Sequence, residues 1–157
     1  MTWALDDLTI REAGEEDVPA LVALFAADEI GGHGDTVDTS ALPDYLAAFR
    51  AIAMSPNETI YVAELAGNVV GTFQTAILTK LVGRGTVSMV IEAVQTREDM
   101  RGRGIGAAMI RYCIEEAKRR GLSAVQLTSN AARVDAHRFY ERLGFEKRHF
   151  GFRMKVK

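Results

Sequence analysis

Apolar positions recur along this chain with two periods, and the switches between them set out its elements. Thr9-Ile10-Arg11-Glu12-Ala13 alternates like a short strand, and Gly14 breaks it. Glu15-Glu16-Asp17 then supply the first-turn acids that suit the positive end of a helix, and Pro19 fits an early helical position. With Leu21, Leu24 and Phe25 at spacings of 3 and 4, these residues predict a helix over 15–27. Ile30-Gly31-Gly32-His33-Gly34-Asp35 is too dense in glycine for regular structure and reads as a loop. Tyr45, Leu46, Phe49 and Ile52 fall on one stripe and predict a second helix over 42–54, ended by Ser55-Pro56-Asn57. Apolar runs at 59–65 and 69–78 flank Ala66-Gly67-Asn68, residues that tolerate positive φ, so they predict an antiparallel hairpin. Gly83-Arg84-Gly85 sets off a third run over 86–96, in which Ser88 and Glu92 interrupt an apolar stretch.

The helical period is strongest over 105–120. Ile105, Met109, Ile110, Cys113, Ile114 and Ala117 make its apolar stripe, Lys118-Arg119-Arg120 suit its negative end, and Gly121 stops it. A strand over 124–127 and a helix over 130–143 follow; Gly144 ends that helix, and 146–156 alternates like a closing strand or hairpin. The order β-α-α-β-β-β-α-β-α-β belongs to the α/β class, a mixed sheet with helices on its faces. With no internal repeat or linker, 1–157 reads as a single domain.

Composition narrows the field without deciding it. The chain has 157 residues, enough for one domain with a sizeable core, and 48% hydrophobic with 25% charged residues is ordinary globular composition. Its formal charge of −2 leaves no basic arm for nucleic acid; Lys147, Arg148, Arg153, Lys155 and Lys157 read as the solvated face of the closing strand. No apolar run approaches the roughly 18 residues of a membrane span. The start, Met1 to Asp7, lacks the basic and apolar parts of a signal peptide. The only cysteine, Cys113, sits on an apolar stripe as a buried structural thiol, so no disulfide framework exists and a cytoplasmic location is the expectation. The histidines at 33, 137 and 149 have no ligand spacing, so no metal is expected.

Chemistry concentrates at Arg101-Gly102-Arg103-Gly104-Ile105-Gly106, three glycines at alternate positions opening a helix. Glycine lets a ligand approach the backbone, the first N–H groups of a helix lack partners, and the macrodipole adds positive charge there. The result is an anion site suited to a pyrophosphate, with Arg101 and Arg103 as further cations. A tight turn alone needs only one glycine. Gly102, Gly104 and Ala107 also satisfy the dinucleotide fingerprint, but the next strand ends in Leu127-Thr128-Ser129-Asn130 without the required acid, and too little chain remains for further βαβ units.

The segment Arg101-x-x-Gly104-x-Gly106 resembles the Q/R-x-x-G-x-G/A signature of the GNAT N-acetyltransferase superfamily. Ala136-His137-Arg138-Phe139-Tyr140-Glu141-Arg142-Leu143-Gly144-Phe145 is similar to its closing A-x-x-F-Y-x-x-x-G-F segment, and Ile91-Glu92-Ala93-Val94-Gln95-Thr96 resembles its fourth strand. The element order also matches, so the resemblance covers nearly the whole chain. It implies the acyl-CoA N-acyltransferase fold: a mostly antiparallel central sheet with parallel fourth and fifth strands splayed, helices on both faces, and acetyl-CoA in the splay.

The roles the resemblance implies fall on particular residues. Backbone amides of Gly102, Arg103, Gly104, Ile105, Gly106 and Ala107, beside Arg101, hold the pyrophosphate. Val94, Gln95 and Thr96 lie along the pantetheine arm like an added strand, with an N–H near Val94 or Gln95 polarising the thioester carbonyl. Asn130 is a further contact to the pantetheine. Tyr140 matches the tyrosine that protonates the departing thiolate, and its alternative is a core aromatic. Glu92 is the candidate base acting through water, or else a structural or substrate-binding residue. His33 is a candidate substrate contact, while His137 and His149 read as capping and surface residues. The activity implied is transfer of an acetyl group to a primary amine, of a small molecule in preference to a protein lysine or N-terminus. A non-catalytic acyl-CoA sensor is the reading from another class. Homodimers through closing strands are common among such proteins, which makes a second copy the expected partner.

Overall fold

A computed structural model describes residues 4–28 and 33–157, which divide into two compact units, 1–126 and 127–157. The first unit opens with β1 (Thr9–Glu12), α1 (Val18–Ala26) and α2 (Leu42–Met54). It continues with β2 (Glu58–Leu65), β3 (Asn68–Thr79), the single turn α3 (Val82–Gly85) and β4 (Val87–Thr96). Helix α4 (Ile105–Arg119) then leads into β5 (Ala124–Leu127), whose last residue begins the second unit. One sheet runs in the order β1-β2-β3-β4-β5, with antiparallel pairing from β1 through β4. Strand β5 lies parallel beside β4, and the Ser123 N–H donates to the Val87 carbonyl at 2.8 Å to tie their starts together.

Local chemistry explains most of these elements. Ala66 (φ 50°) and Gly67 (φ 80°) are both left-handed, the paired geometry a tight β2–β3 hairpin demands. Arg11 on β1 forks onto Asp17 at 2.7 and 2.9 Å, and Asp17 also accepts the Gly14 N–H at 2.7 Å, which staples the first strand to the start of α1. Period-two alternation then assigns the faces of the sheet. Tyr61 and Phe73 stack with ring centroids 4.9 Å apart and meet Tyr112 of α4, whereas their neighbours Ile60 and Thr72 line a cavity beneath α1 and α2. The helices therefore cover both faces of the sheet. The core has a part on each face: Met89, Ile91, Ile105, Met109 and Ile110 on the α4 side and Val18, Leu21 and Val62 on the α1 side are almost fully buried.

The second unit holds α5 (Val134–Arg142), which starts four residues later than the sequence pattern predicts. Asn130 is the reason: its side chain accepts the Ala132 N–H at 2.9 Å and its carbonyl accepts the Arg133 N–H at 2.9 Å, a local turn that competes with helix. The expected closing strand over 146–156 is not formed. That stretch has no regular secondary structure, and Phe150, Phe152, Met154 and Val156 are 83–97% exposed. Alternation supplies a face, but a strand also needs a ladder partner, and none pairs with it among the described residues.

Candidate active site

The glycine turn delivers the chain to α4 through two left-handed residues, Gly102 (φ 75°) and Gly104 (φ 87°), and Gly104 is the N-cap. No side chain caps the helix, and its first backbone bond runs from the Ala108 N–H to the Gly104 carbonyl at 3.0 Å. The amides of Ile105, Gly106 and Ala107 are thus the helix's unsatisfied donors. The buried Ile105 side chain pins the turn to the core while its N–H stays at the helix mouth. A β-carbon added at Gly102 would meet nothing within 4 Å, and at Gly104 only Leu5, at 3.5 Å. The mouth is open, and a pyrophosphate fits it as the missing cap. The Arg101 guanidinium turns back to donate to the Thr96 carbonyl at 3.3 Å, tying the turn to the end of β4; Arg103 is exposed.

Strand β4 carries a bulge. Gln74 pairs with Glu92 and Thr72 with Gln95, so the single residue Phe73 faces two, Ala93 and Val94, and Ala93 takes up φ 51°. Pairing resumes at Gly71 and Thr96. Gly71 allows a close approach there, since a β-carbon would come within 2.9 Å of the Met109 sulfur and 3.2 Å of the Gln95 carbonyl oxygen and both would have to shift. Strand β5 is four residues long and tied at the start of β4, so beyond the bulge no strand pairs with the outer edge of β4 among the described residues. Val94, Gln95 and Thr96 therefore offer extended backbone to a ligand that can add as a strand.

The side chains divide by face. Directly opposed pairs share a face, so Ile60, Gln74 and Glu92 form one row across β2, β3 and β4, with Glu92 exposed. Gln95 shares the α1 side, and its amide donates to the Asp28 carboxylate at 2.8 Å, just past the end of α1. Its contribution toward the outer edge is thus backbone. Neither Gln74 nor Asp28 was legible as a site residue: Gln74 is one polar residue in an apolar strand, and the Asp28 contact spans 67 positions. His33 is exposed in the loop before α2, and residues 30–32 of the glycine-rich stretch lie outside the described residues, as do Met1 to Trp3.

In the second unit the Tyr140 ring packs edge-on against Phe139 and Phe145, with centroids 5.2 and 5.9 Å away. Burial pushes its phenol above the ordinary range, partly opposed by the Arg133 charge, so the hydroxyl keeps its proton through neutral pH. Asn130 shapes its own turn, and a ring nitrogen of His137 sits 2.9 Å from the Asn130 carbonyl, bracing the turn from α5. His149 is exposed. Cys113 is buried with its thiol pushed up to about 12 by desolvation, which makes it inert. No group of metal-ligating side chains gathers among the described residues, and no helix there is long and apolar enough to cross a membrane.

The chain is similar to known proteins along most of its length. The chain is 32% identical to an aminoalkylphosphonate N-acetyltransferase of Salmonella typhimurium, over 91% of its own length and 88% of that protein's. It is also 32% identical to an L-methionine sulfoximine/L-methionine sulfone acetyltransferase of Pseudomonas paraeruginosa, covering 88% of this chain and 80% of the relative. Among solved structures, a transcriptional regulator from Bacillus halodurans C-125 superposes with a TM-score of 0.91 at 36% identity, covering 95% of this chain and 99% of that one. The model of the Acetyltransferase (GNAT) family matches residues 19–145. With its glycine turn, bulged β4 and parallel β5, this chain belongs to the Acetyltransferase (GNAT) family and is an acyltransferase.

Proposed function

We propose that the protein transfers the acetyl group of acetyl-CoA to a primary amine of a small molecule, by direct attack in a ternary complex, and that 1–157 acts as one domain. The observation that carries this reading is the uncapped α4 mouth at Gly102 and Gly104, next to the open edge of β4 beyond its bulge. A diphosphate answers the first feature and an amide-bearing pantetheine arm answers the second. The amides of Ile105, Gly106 and Ala107, with Arg101 and Arg103, hold the pyrophosphate; Val94, Gln95 and Thr96 hold the arm, with Asn130 as a further contact. An amide at the bulge polarises the thioester carbonyl, an oxyanion-type contribution of about 3 kcal/mol.

In the reaction the amine nitrogen attacks the carbonyl carbon; an N–C bond forms and the C–S bond breaks. An alkylamine with a pKa near 10.4 is less than about 0.1% neutral at pH 7, so its proton must be removed, and Glu92 takes it through water. The departing thiolate receives the Tyr140 proton; a phenol held protonated by burial is the donor this step requires. The amine is placed on a small molecule because two of the curated relatives that match most of this chain are named for aminoalkylphosphonate and for methionine sulfoximine or sulfone. The expected location is the cytoplasm. The alternating, exposed Phe150, Phe152, Met154 and Val156 support a homodimer, which sedimentation at micromolar concentration would register as a doubled mass.

The deciding assay follows CoA thiol release from acetyl-CoA across a panel of small amines. Stimulation by at least one amine above the rate of water hydrolysis is the expected result. Tight acetyl-CoA binding with no amine-dependent release would instead make the protein an acyl-CoA sensor.

A further inference from the structure

A cavity of about 130 Å³ lies between α1, α2 and the sheet, and neither the pyrophosphate mouth nor the open β4 edge accounts for it. Phe25 closes it from α1, Tyr45, Phe49 and Ile52 from α2, and Gln74 and Ala93 from the sheet. Its lining contains no Lys, Arg, Asp or Glu. The Thr72 hydroxyl in its floor is already spent on the Tyr61 carbonyl at 2.7 Å. Helix α2 has an apolar stripe yet buries none of its residues, so the stripe stands as the wall of a space rather than as packed core. The Tyr45 hydroxyl donates to Asp35 at 2.8 Å and accepts the Thr36 N–H at 3.2 Å, which fixes that wall to the loop before α2.

On the sheet side the rim is polar at Gln74. Gln74 lies between Ile60, in the cavity lining, and Glu92 in the row across three strands, and directly opposed side chains in such rows stand about 5 Å apart. The Glu92 carboxylate is thus one strand from the cavity, and Ala93, the bulge residue next to Val94 where the thioester contact is expected, borders it. An ammonium group suits Glu92 and Gln74, and what it carries must then enter an uncharged cavity. The acyl chain of a donor would need the apolar wall but has no use for the carboxylate beside it.

We propose that this cavity is the acceptor side-chain site, taking the uncharged apolar arm of a primary amine whose nitrogen is held at the Glu92–Gln74 rim. An apolar cavity of about 150 Å³ holds a benzene-sized guest, so the arm has roughly five or six heavy atoms at most. Amines whose arm ends in an anion are disfavoured, because the lining offers that charge no partner and Glu92 repels it. The inference rests on the acetyltransfer reading and adds the class of acceptor to it.

The test measures kcat/KM for straight-chain amines from ethylamine to octylamine, with 2-aminoethylphosphonate as the anionic comparison, together with KM for acetyl-CoA. A rise of roughly fourfold per methylene up to about pentylamine, then a plateau or fall, is expected. The phosphonate should fall at least about tenfold below propylamine. Ala48 lines the cavity from an exposed position on α2, so Ala48→Phe can fill the space without disturbing the core. It should lower the pentylamine-to-ethylamine ratio about tenfold while the KM for acetyl-CoA stays put; Phe49→Ala should move the optimum to longer arms. If these variants change the preference among acetyl-, propionyl- and butyryl-CoA and leave the amine preference alone, the cavity is an acyl pocket and the proposal is wrong. A flat chain-length profile untouched by either variant would likewise overturn it, leaving a void in the core. CoA release unmoved by every amine would remove the acetyltransfer reading itself, and this site with it; that outcome differs from a flat profile of real turnover.

Discussion

Tyr140 and Glu92 bear the proposed proton transfers, and they differ in how far residue chemistry alone accounts for them. Tyr140 is half-buried between two phenylalanine rings, and desolvation favours its neutral form. Tyr140→Phe removes the proton and keeps the ring, so the acetyl-transfer rate should fall about 100-fold with acetyl-CoA affinity little changed. Stopped-flow turnover alongside calorimetric binding checks this, and an undiminished rate would take Tyr140 out of the acid role. Tyr140 is a candidate acid from the sequence because the phenylalanine–tyrosine pair sits in a motif of fixed spacing. Glu92 was legible as the polar interruption of an apolar strand. The Gln74 beside it was not, because its meaning comes from a pairing across strands that sequence separation hides.

The element that matters most is the turn into α4. Helix α4 is amphipathic with basic residues at its end, but its start has no capping side chain and two left-handed glycines. Gly104→Asp places a β-carbon at φ 87°, a backbone cost of about 1–2 kcal/mol, and sets a carboxylate on the donors proposed to hold phosphate. Acetyl-CoA binding should weaken at least about 100-fold while the thermal midpoint drops by only a few degrees. Calorimetry with a melting scan separates these effects, and unimpaired binding would place the pyrophosphate elsewhere. Element boundaries were readable to within a residue or two for α2 and β2, whose stripe and hairpin turn are local signals. The start of α5 was misread because Asn130 prefers its own turn, and the closing strand because alternation does not supply a partner.

At the scale of the whole molecule, stability should depend on acid in a defined direction. Hydrogen bonds from Arg11 hold the Asp17 carboxyl below its ordinary value, and Arg119 and Arg120 hold Glu116 at about 2. Both folded values lie under the unfolded ones, so the stabilisation is complete above about pH 5 and is lost as pH falls through the folded values. The melting midpoint should therefore decline steadily from about pH 5 toward pH 2. Asp17→Asn should cost about 2 kcal/mol at pH 7 and flatten that decline. A variant with the same acid slope as the parent would show that the Arg11–Asp17 pair does not set it.

The sequence by itself determined the elements from β1 through β5 and the glycine turn, because these depend on periodicity, local φ preference and side-chain type; the closing strand it also suggested is not formed. The tertiary structure decided where β4 bulges, that Ala93 takes a left-handed conformation there, and that Gln95 spends its amide on Asp28. It also decided that Ile60, Gln74 and Glu92 form one row at the edge of an apolar cavity. Each of these is a relation between residues distant along the chain, fixed by strand register and by which helix covers which face. No local propensity encodes register, so the acceptor site emerges only when the strands are paired.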